Sequence, residues 1–155
     1  AAPMGGGGPA VVDISAMSPR ERASRLFDRI MTLSSQGKRD SVQFFSTMAL
    51  VVYESLGDLD TDLRYDYGRI AEVSGNLDVA QAQADTILQQ APTHLLGLVL
   101  AGNVADARGQ PARKAALNRR LLAGEQAELA KGLTEYQLHK ADLDAALAAA
   151  RAAGK

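Results

Sequence analysis

The chain has 155 residues, and its 17 basic and 18 acidic side chains give a formal net charge of −1, which excludes a general nucleic-acid binder with a clear basic excess. At this length one domain buries roughly 70% of its unfolded surface and folds without disulfides or a structural metal ion. The sequence contains no cysteine, which excludes disulfides, thiolate metal sites and a cysteine nucleophile.

The first segment, residues 1–17, is a glycine- and proline-rich arm in front of a helical domain at 18–155. Its composition predicts a flexible tether with one short apolar stretch at Val11, Val12 and Ile14. The alternative is an arm that docks on its own domain or on a neighbouring copy, with those three side chains as the contact.

The chain begins at Ala1 rather than at an initiator methionine. A start of this kind favours an extracytoplasmic origin, in the periplasm or cell envelope, after removal of a signal peptide or an anchor. The longest purely apolar run, residues 48–53, is far shorter than the roughly 20 residues that cross a bilayer. We therefore predict no transmembrane span within this chain.

The first two helices have clear signals. Ser18 and Glu21 are spaced as a capping box, which predicts a helix from this point to about residue 35. A break at Gly37 follows, and a second helix is predicted near 40–56. Because the second helix is apolar around most of its girth, we expect it at the centre of the N-terminal core.

Three further helical hairpins are predicted along the rest of the chain. Their helices cover about 62–74 with 77–90, 93–108 with 111–123, and 125–139 with 141–153. The last helix is rich in alanine, which gives strong helix propensity and little bulk. That composition is typical of a terminal helix packed on one side only.

Glycines recur at a fixed distance in two of these hairpins. Gly68 and Gly75 are followed 34 residues later by Gly102 and Gly109. A period of this size is typical of stacked helix-turn-helix units. The alternative is a chance spacing of glycines in an ordinary helical bundle.

The pattern resembles the tetratricopeptide repeat family, which favours small residues at three fixed positions and a proline at the end of its second helix. Residues 61–94 match at Gly68, Gly75, Ala80 and Pro92. Residues 95–128 form a degenerate copy, and the bulky aromatic of the family is absent from both copies. The resemblance implies an all-α fold, a right-handed solenoid of seven or eight helices behind the extended glycine-rich arm.

The resemblance also implies a binding surface. In this family the first helix of each repeat lines a concave groove that holds a peptide. Tyr65 and Arg69 are the expected anchors, because these residue types dominate interface hot spots. The alternative is that these positions are solvated helix faces, with Tyr65 in the core. The groove positions carried over to this chain are Asp62, Tyr65, Arg69, Glu72, Leu96, Val99, Asn103 and Asp106.

Catalytic chemistry has little support in the sequence. The two histidines, His94 and His139, are 45 residues apart, and neither has the flanking residues of a metal site or a triad. The aspartates from Asp58 onward resemble a calcium loop, but Leu63 stands where that loop needs glycine. The glycine run at 5–8 lacks the lysine of a phosphate loop. We predict no catalytic residue, no metal site and no cofactor.

These expectations favour a non-catalytic protein–protein interaction module with an unidentified protein or peptide partner. It would serve as a scaffold or adaptor, tethered to a bacterial cell envelope or part of a larger complex there. The alternative is a self-assembling structural subunit, in which residues 1–17 dock on a neighbouring copy and build a ring or a filament. An enzyme ranks third.

Overall fold

The computed structural model describes residues 16–154, and in that range the chain is all-helical, as predicted. Residues 1–15, with the expected arm contacts Val11, Val12 and Ile14, lie outside the described residues. None of the helices between 16 and 154 has the length and apolarity needed to cross a membrane. The helices in this range are α1 (Pro19–Ser35), α2 (Arg39–Ser55), α3 (Thr61–Val73), α4 (Leu77–Gln90), α5 (Leu95–Ala107), α6 (Pro111–Leu129), α7 (Thr134–Leu138) and α8 (Lys140–Ala153).

The predicted capping box is confirmed at the start of α1. The Glu21 backbone N–H donates to Ser18 Oγ at 3.2 Å, and the Ser18 N–H donates to Glu21 Oε2 at 3.0 Å. Each residue satisfies a backbone donor that the first turn of a helix leaves without a partner. The sequence therefore determines where α1 begins.

Consecutive helices pack as pairs, α1 with α2, α3 with α4 and α5 with α6. Helix α4 packs on α5 as closely as α1 does on α2, and α3 contacts α1, α2 and α5. Helix α5 is buried around nearly its whole circumference, including Leu96, Leu98 and Leu100. It forms the centre of the larger core, whereas a second core lies between α1, α2 and α3. The central helix of the molecule is thus α5.

Helix α2 belongs to the N-terminal core, but only one side of it is buried there, so its predicted central position holds only in part. Its inner side is made of Val42, Ser46, Ala49 and Tyr53, which pack toward α1 and α3. Small residues at two of these positions permit a close approach between the helices. Three apolar side chains of α2, Phe44, Met48 and Val51, point away from this contact and are exposed. An apolar circumference therefore did not reveal which side of the helix is covered.

The repeated glycines have different structural roles. Gly75 and Gly109 adopt φ values of 86° and 64°, a left-handed conformation that favours glycine at the end of a helix. At Gly68 an added Cβ would lie 2.3 Å from Leu100 Cδ2 of α5. At Gly102 its nearest neighbour is the flexible tip of Lys114, at 3.2 Å. Close helix approach therefore requires glycine at position 68 and not at position 102.

We expect Gly68→Ala to lower the free energy of unfolding by about 1–3 kcal/mol, because the added methyl collides with fully buried Leu100. Gly102→Ala serves as the matched control and should be neutral or stabilising, since alanine is favoured over glycine by roughly 1 kcal/mol inside a helix. Urea denaturation measures both changes. A Gly68→Ala protein as stable as Gly102→Ala would contradict the close approach.

The predicted helix break near Gly124 is wrong. Helix α6 continues through this glycine to Leu129, so the expected helix over 125–139 shrinks to the short α7. Leu121 and Glu128 are buried on either side of Gly124, and this packing outweighs the roughly 1 kcal/mol that a mid-helix glycine costs. The turn lies instead at Gly132, with a φ of 63°.

Candidate functional site

Helix α8 packs chiefly against α6 and also contacts α5, and Asp142 in its first turn reaches α3, so it covers part of the surface where the sequence predicted a groove. We call this surface the α3–α5 face and define it by Tyr65 and Arg69 of α3 and by Leu96, Val99 and Asn103 of α5. The buried side chains of α8 lie in the same core cluster as Tyr65, Leu96 and Val99. They are Leu143, Leu147 and Ala150.

Asp142 forms the first polar anchor between α8 and this face. Its Oδ2 accepts a hydrogen bond from the Tyr65 hydroxyl at 2.7 Å and one from Arg69 Nε at 3.3 Å. Arg69 also donates to Glu72, at 2.6 Å. Hydrogen bonds to an ionised carboxylate are stronger than neutral ones, especially away from water. This anchor fixes the first turn of α8 against α3.

His139, at the junction of α7 and α8, forms the second anchor. Its Nε2 lies 2.7 Å from Asp62 Oδ1 and 3.0 Å from Asp66 Oδ1. The Tyr53 hydroxyl donates to the other Asp66 oxygen at 3.2 Å. We call Asp62, Asp66 and His139 the His139 cluster. It connects the C-terminal end of the chain to α3 and, through Tyr53, to α2.

Burial and ion pairing act in opposite directions on the His139 cluster. Burial lowers the pKa of His139, but its hydrogen bonds to Asp62 and Asp66 outweigh this effect and raise the pKa to about 9. Burial raises the pKa of Asp66 to about 6, although the hydrogen bond from His139 lowers it. His139 is therefore a cation at neutral pH, held between two carboxylates.

In the part of the chain that the structure describes, this cluster is the one group of three side chains whose ligand atoms could surround a metal ion. His139 Nε2 lies within 3.0 Å of one oxygen of each carboxylate, so a metal ion at this place competes with the proton of His139. Protonated His139 itself is the cation of this site.

A pocket of about 290 Å³ remains beside α8 on the α3–α5 face. The side of α8 that faces it carries alanines at three positions, so the helix supplies little bulk there. Charged and polar groups surround the pocket on the other sides. Its lining residues are Arg69, Val99, Asn103, Asp106, Lys114, Asp142, Ala145, Ala146 and Ala149.

Tyr65, Leu96 and Val99 do not line the open groove that the sequence predicted. Tyr65 and Leu96 are fully buried and Val99 is 5% exposed. The reason is α8, whose leucines pack in the same core cluster. The alternative interpretation of Tyr65 as a core residue fits its burial.

The polar positions predicted for the groove lie around the edges of α8. Asp62 and Arg69 contact α8 or the residue before it, and Glu72 pairs with Arg69. Asn103 is half-buried and lines the pocket. Asp106 is exposed and forms a 3.0 Å ion pair with Lys114. The structure thus brings the α3 positions together with α8 and leaves Asp106 at the rim.

Sequence reasoning missed the contacts of both histidines. His139 meets Asp62 across 77 residues of sequence, and His94 meets Glu135, at 3.0 Å, across 41. One local signal was present: Asp62 and Asp66 are four residues apart on one helix face, and like charges at this spacing repel. Such a pair favours a cation between the two carboxylates.

A further polar contact fixes α7 near the same face. The Tyr136 hydroxyl donates to Glu128 Oε2 at 2.7 Å and accepts the Leu95 backbone N–H at 3.0 Å. It thereby satisfies a backbone donor in the first turn of α5 and one buried carboxylate oxygen. Tyr136 holds α5, α6 and α7 together where the chain turns toward α8.

A comparison with known protein families, curated proteins and solved structures found no match. The resemblance to tetratricopeptide repeats therefore depends only on the repeat positions and helical hairpins of this chain.

Proposed function

We propose that this chain is a non-catalytic protein–protein interaction module, a right-handed solenoid of tetratricopeptide-like hairpins that binds an amphipathic helix on its α3–α5 face. The 34-residue glycine spacing and the sequential pairing of α1 to α6 support the solenoid. Solenoids of this type offer extended surfaces to peptides. We expect the partner segment to be a helix.

The observation that carries the proposal is the helix already seated on this face. Helix α8 makes the contacts of a helix in a groove: Leu143 and Leu147, four residues apart, are buried, and Asp142 binds Tyr65 and Arg69. The face therefore offers apolar contacts and matching donors to a short amphipathic helix, and α6 forms the other wall of the seat. Helix α8 is its resident occupant, and a partner competes with it.

The pocket beside α8 specifies the chemistry of a better occupant. Exposed Ala145 and Ala149 border the pocket and are separated by one helical turn. A partner helix with leucine at these two places fills the pocket while retaining the acidic anchor and the two buried leucines. The expected partner segment has an acidic residue followed by leucines one and five residues later and by larger apolar side chains three and seven residues later.

A labelled peptide tests this competition. The probe is residues 138–154 of the chain with Ala145→Leu and Ala149→Leu, and fluorescence anisotropy measures its binding to full-length protein. Wild-type protein should bind weakly, because α8 must leave first and the apparent affinity falls with the fraction of open molecules. The Asp142→Ala protein, with α8 less firmly held, should bind about tenfold more tightly.

Two controls make the result specific. A peptide that also carries Asp142→Ala should bind at least about tenfold more weakly, because it lacks the charged anchor. A full-length protein with Ala145→Leu and Ala149→Leu should bind the probe less well than wild type, since its own helix fills the pocket. Binding that is equal for both peptides, or absent from the Asp142→Ala protein, contradicts the proposal.

A further inference from the structure

We propose that a second copy of this chain docks on the outer side of the α1–α2 hairpin, through a twofold pairing of the two α2 helices. This surface is separate from the α3–α5 face, and the inference goes beyond helix binding there. It follows from an apolar stripe, from the charges on its two edges and from the symmetry that brings unlike edges together.

The stripe consists of Phe44, Met48 and Val51, which lie on one side of α2. They are 64%, 47% and 64% exposed. Phe44 packs edge-to-face on Phe45, and the Arg29 guanidinium lies 4.5 Å from the centre of the Phe45 ring. These contacts hold the aromatic end of the stripe in place. It is a preformed apolar surface on a regular helix.

The stripe lies on the uncovered side of α2. Helix α2 buries its opposite side against α1 and α3, and no residue between 16 and 154 covers Phe44 or Val51. End units of helical repeats normally have a polar outer face, because each unit buries apolar surface only against its neighbours. A continuous exposed apolar surface marks an interaction site.

The two edges of the stripe have opposite charge. On the α1 side, Arg22, Arg25 and Arg29 are exposed and recur at helical spacing. On the other side, Asp40 and Glu54 project from α2, and Glu54 borders Tyr67 of α3. The surface is therefore basic along one edge, apolar in the middle and acidic along the other edge.

A twofold axis parallel to α2 makes this surface complementary to itself. The stripes of the two copies then pack on each other, and their α2 helices run in the same direction. The basic edge of each copy meets the acidic edge of the other. The Tyr53 hydroxyl oxygen lies 3.2 Å from the Ala23 carbonyl oxygen, so the start of α1, with Arg22, lies beside the end of α2, with Glu54. Arg22 of each copy thus faces Glu54 of the second copy. An antiparallel pairing opposes basic edge to basic edge and is disfavoured.

The dimer should be weak and salt-sensitive. Three apolar side chains per copy form an interface smaller than the roughly 800 Å² per partner of a standard complex. Exposed ion pairs at its edges add little and are screened by salt. We expect a dissociation constant on the order of tens of micromolar at low salt.

Sedimentation velocity on the full chain, over a wide concentration range at low salt, tests the pairing. The wild type should dimerise with rising concentration, and Phe44→Glu and Val51→Lys should each weaken the dimer at least about tenfold. Leu138→Lys is the matched control, because Leu138 is equally exposed, at 62%, but lies in α7. A monomeric wild type at several hundred micromolar, or a dimer unaffected by Phe44→Glu, overturns the proposal.

Charge reversal tests the twofold arrangement itself. Arg22→Glu and Glu54→Arg should each weaken the dimer, and the two changes together in one chain should restore it, because the ion pairs re-form with reversed sign. A double variant no better than the single ones overturns the parallel arrangement. Loss of the dimer in Ile14→Asp, with Phe44→Glu unaffected, assigns the contact to residues 1–15 instead and also overturns it.

Discussion

Raising the pH from about 6.5 to about 9 is expected to lower the free energy of unfolding by roughly 2 kcal/mol through His139 alone. Its pKa in the folded protein is raised to about 9 by Asp62 and Asp66 against the opposing effect of burial. The folded state therefore holds this proton more tightly than the unfolded state does. The resulting stabilisation is complete below the unfolded pKa of 6.5 and disappears as the pH rises through 9.

Urea denaturation at a series of pH values measures this effect. His139→Gln should lose the slope between pH 6.5 and 9 and should be less stable at neutral pH by about 2–4 kcal/mol, because Asp66 loses its buried cationic partner. Adding Asp66→Asn to His139→Gln should recover part of the loss, since no buried charge then remains without a partner. Identical pH profiles for wild type and His139→Gln would show that His139 is not the responsible group.

Leu147→Ala is expected to cost about 2–5 kcal/mol, because Leu147 is buried in the core beneath α8 and the substitution leaves a cavity. The alanine-rich helix has few other large side chains to compensate. Part of this cost should appear as local opening, so backbone amides of α8 should exchange hydrogen faster than those of α5.

Thermal unfolding and hydrogen exchange together measure this prediction. Leu138→Ala is the matched control: it removes the same atoms from a side chain that is 62% exposed, and its effect should stay within about 0.5 kcal/mol. Faster exchange confined to α8 in Leu147→Ala supports a helix that leaves its face as a unit. Uniformly faster exchange in α5 and α8 would instead show that α8 opens only when the core unfolds.

The local features of the fold were predictable because short-range chemistry determines them. Ser18 and Glu21 satisfy each other's backbone donors within one turn, and Gly75 and Gly109 supply the left-handed conformation that ends a helix. Such signals need no knowledge of the rest of the molecule. The helix end predicted near Gly124 was wrong, because a glycine inside a helix does not by itself end it. The burial of Leu121 and Glu128 on either side keeps this segment helical.

The candidate site was only partly predictable, because it is formed between segments far apart in the chain. The repeat register directed attention to Tyr65 and Arg69, but it contained no information about which segment contacts them. Asp142 and His139 come from the least regular part of the sequence, where the period fails. The exposure of the outward face of α2 could not be predicted for the same reason, since an apolar helix surface does not indicate which segment covers it.

The contacts that fix α8 have a consequence for how the protein folds. Tyr65 meets Asp142, and Asp62 meets His139, across 77 residues of chain, whereas the pairs α1–α2, α3–α4 and α5–α6 need only local turns. Local contacts form early and long loops close late, because loop closure costs entropy before its contacts are made. During synthesis the earlier hairpins assemble before α8 exists. The nascent protein therefore passes through a stage in which the α3–α5 face is not yet covered by α8.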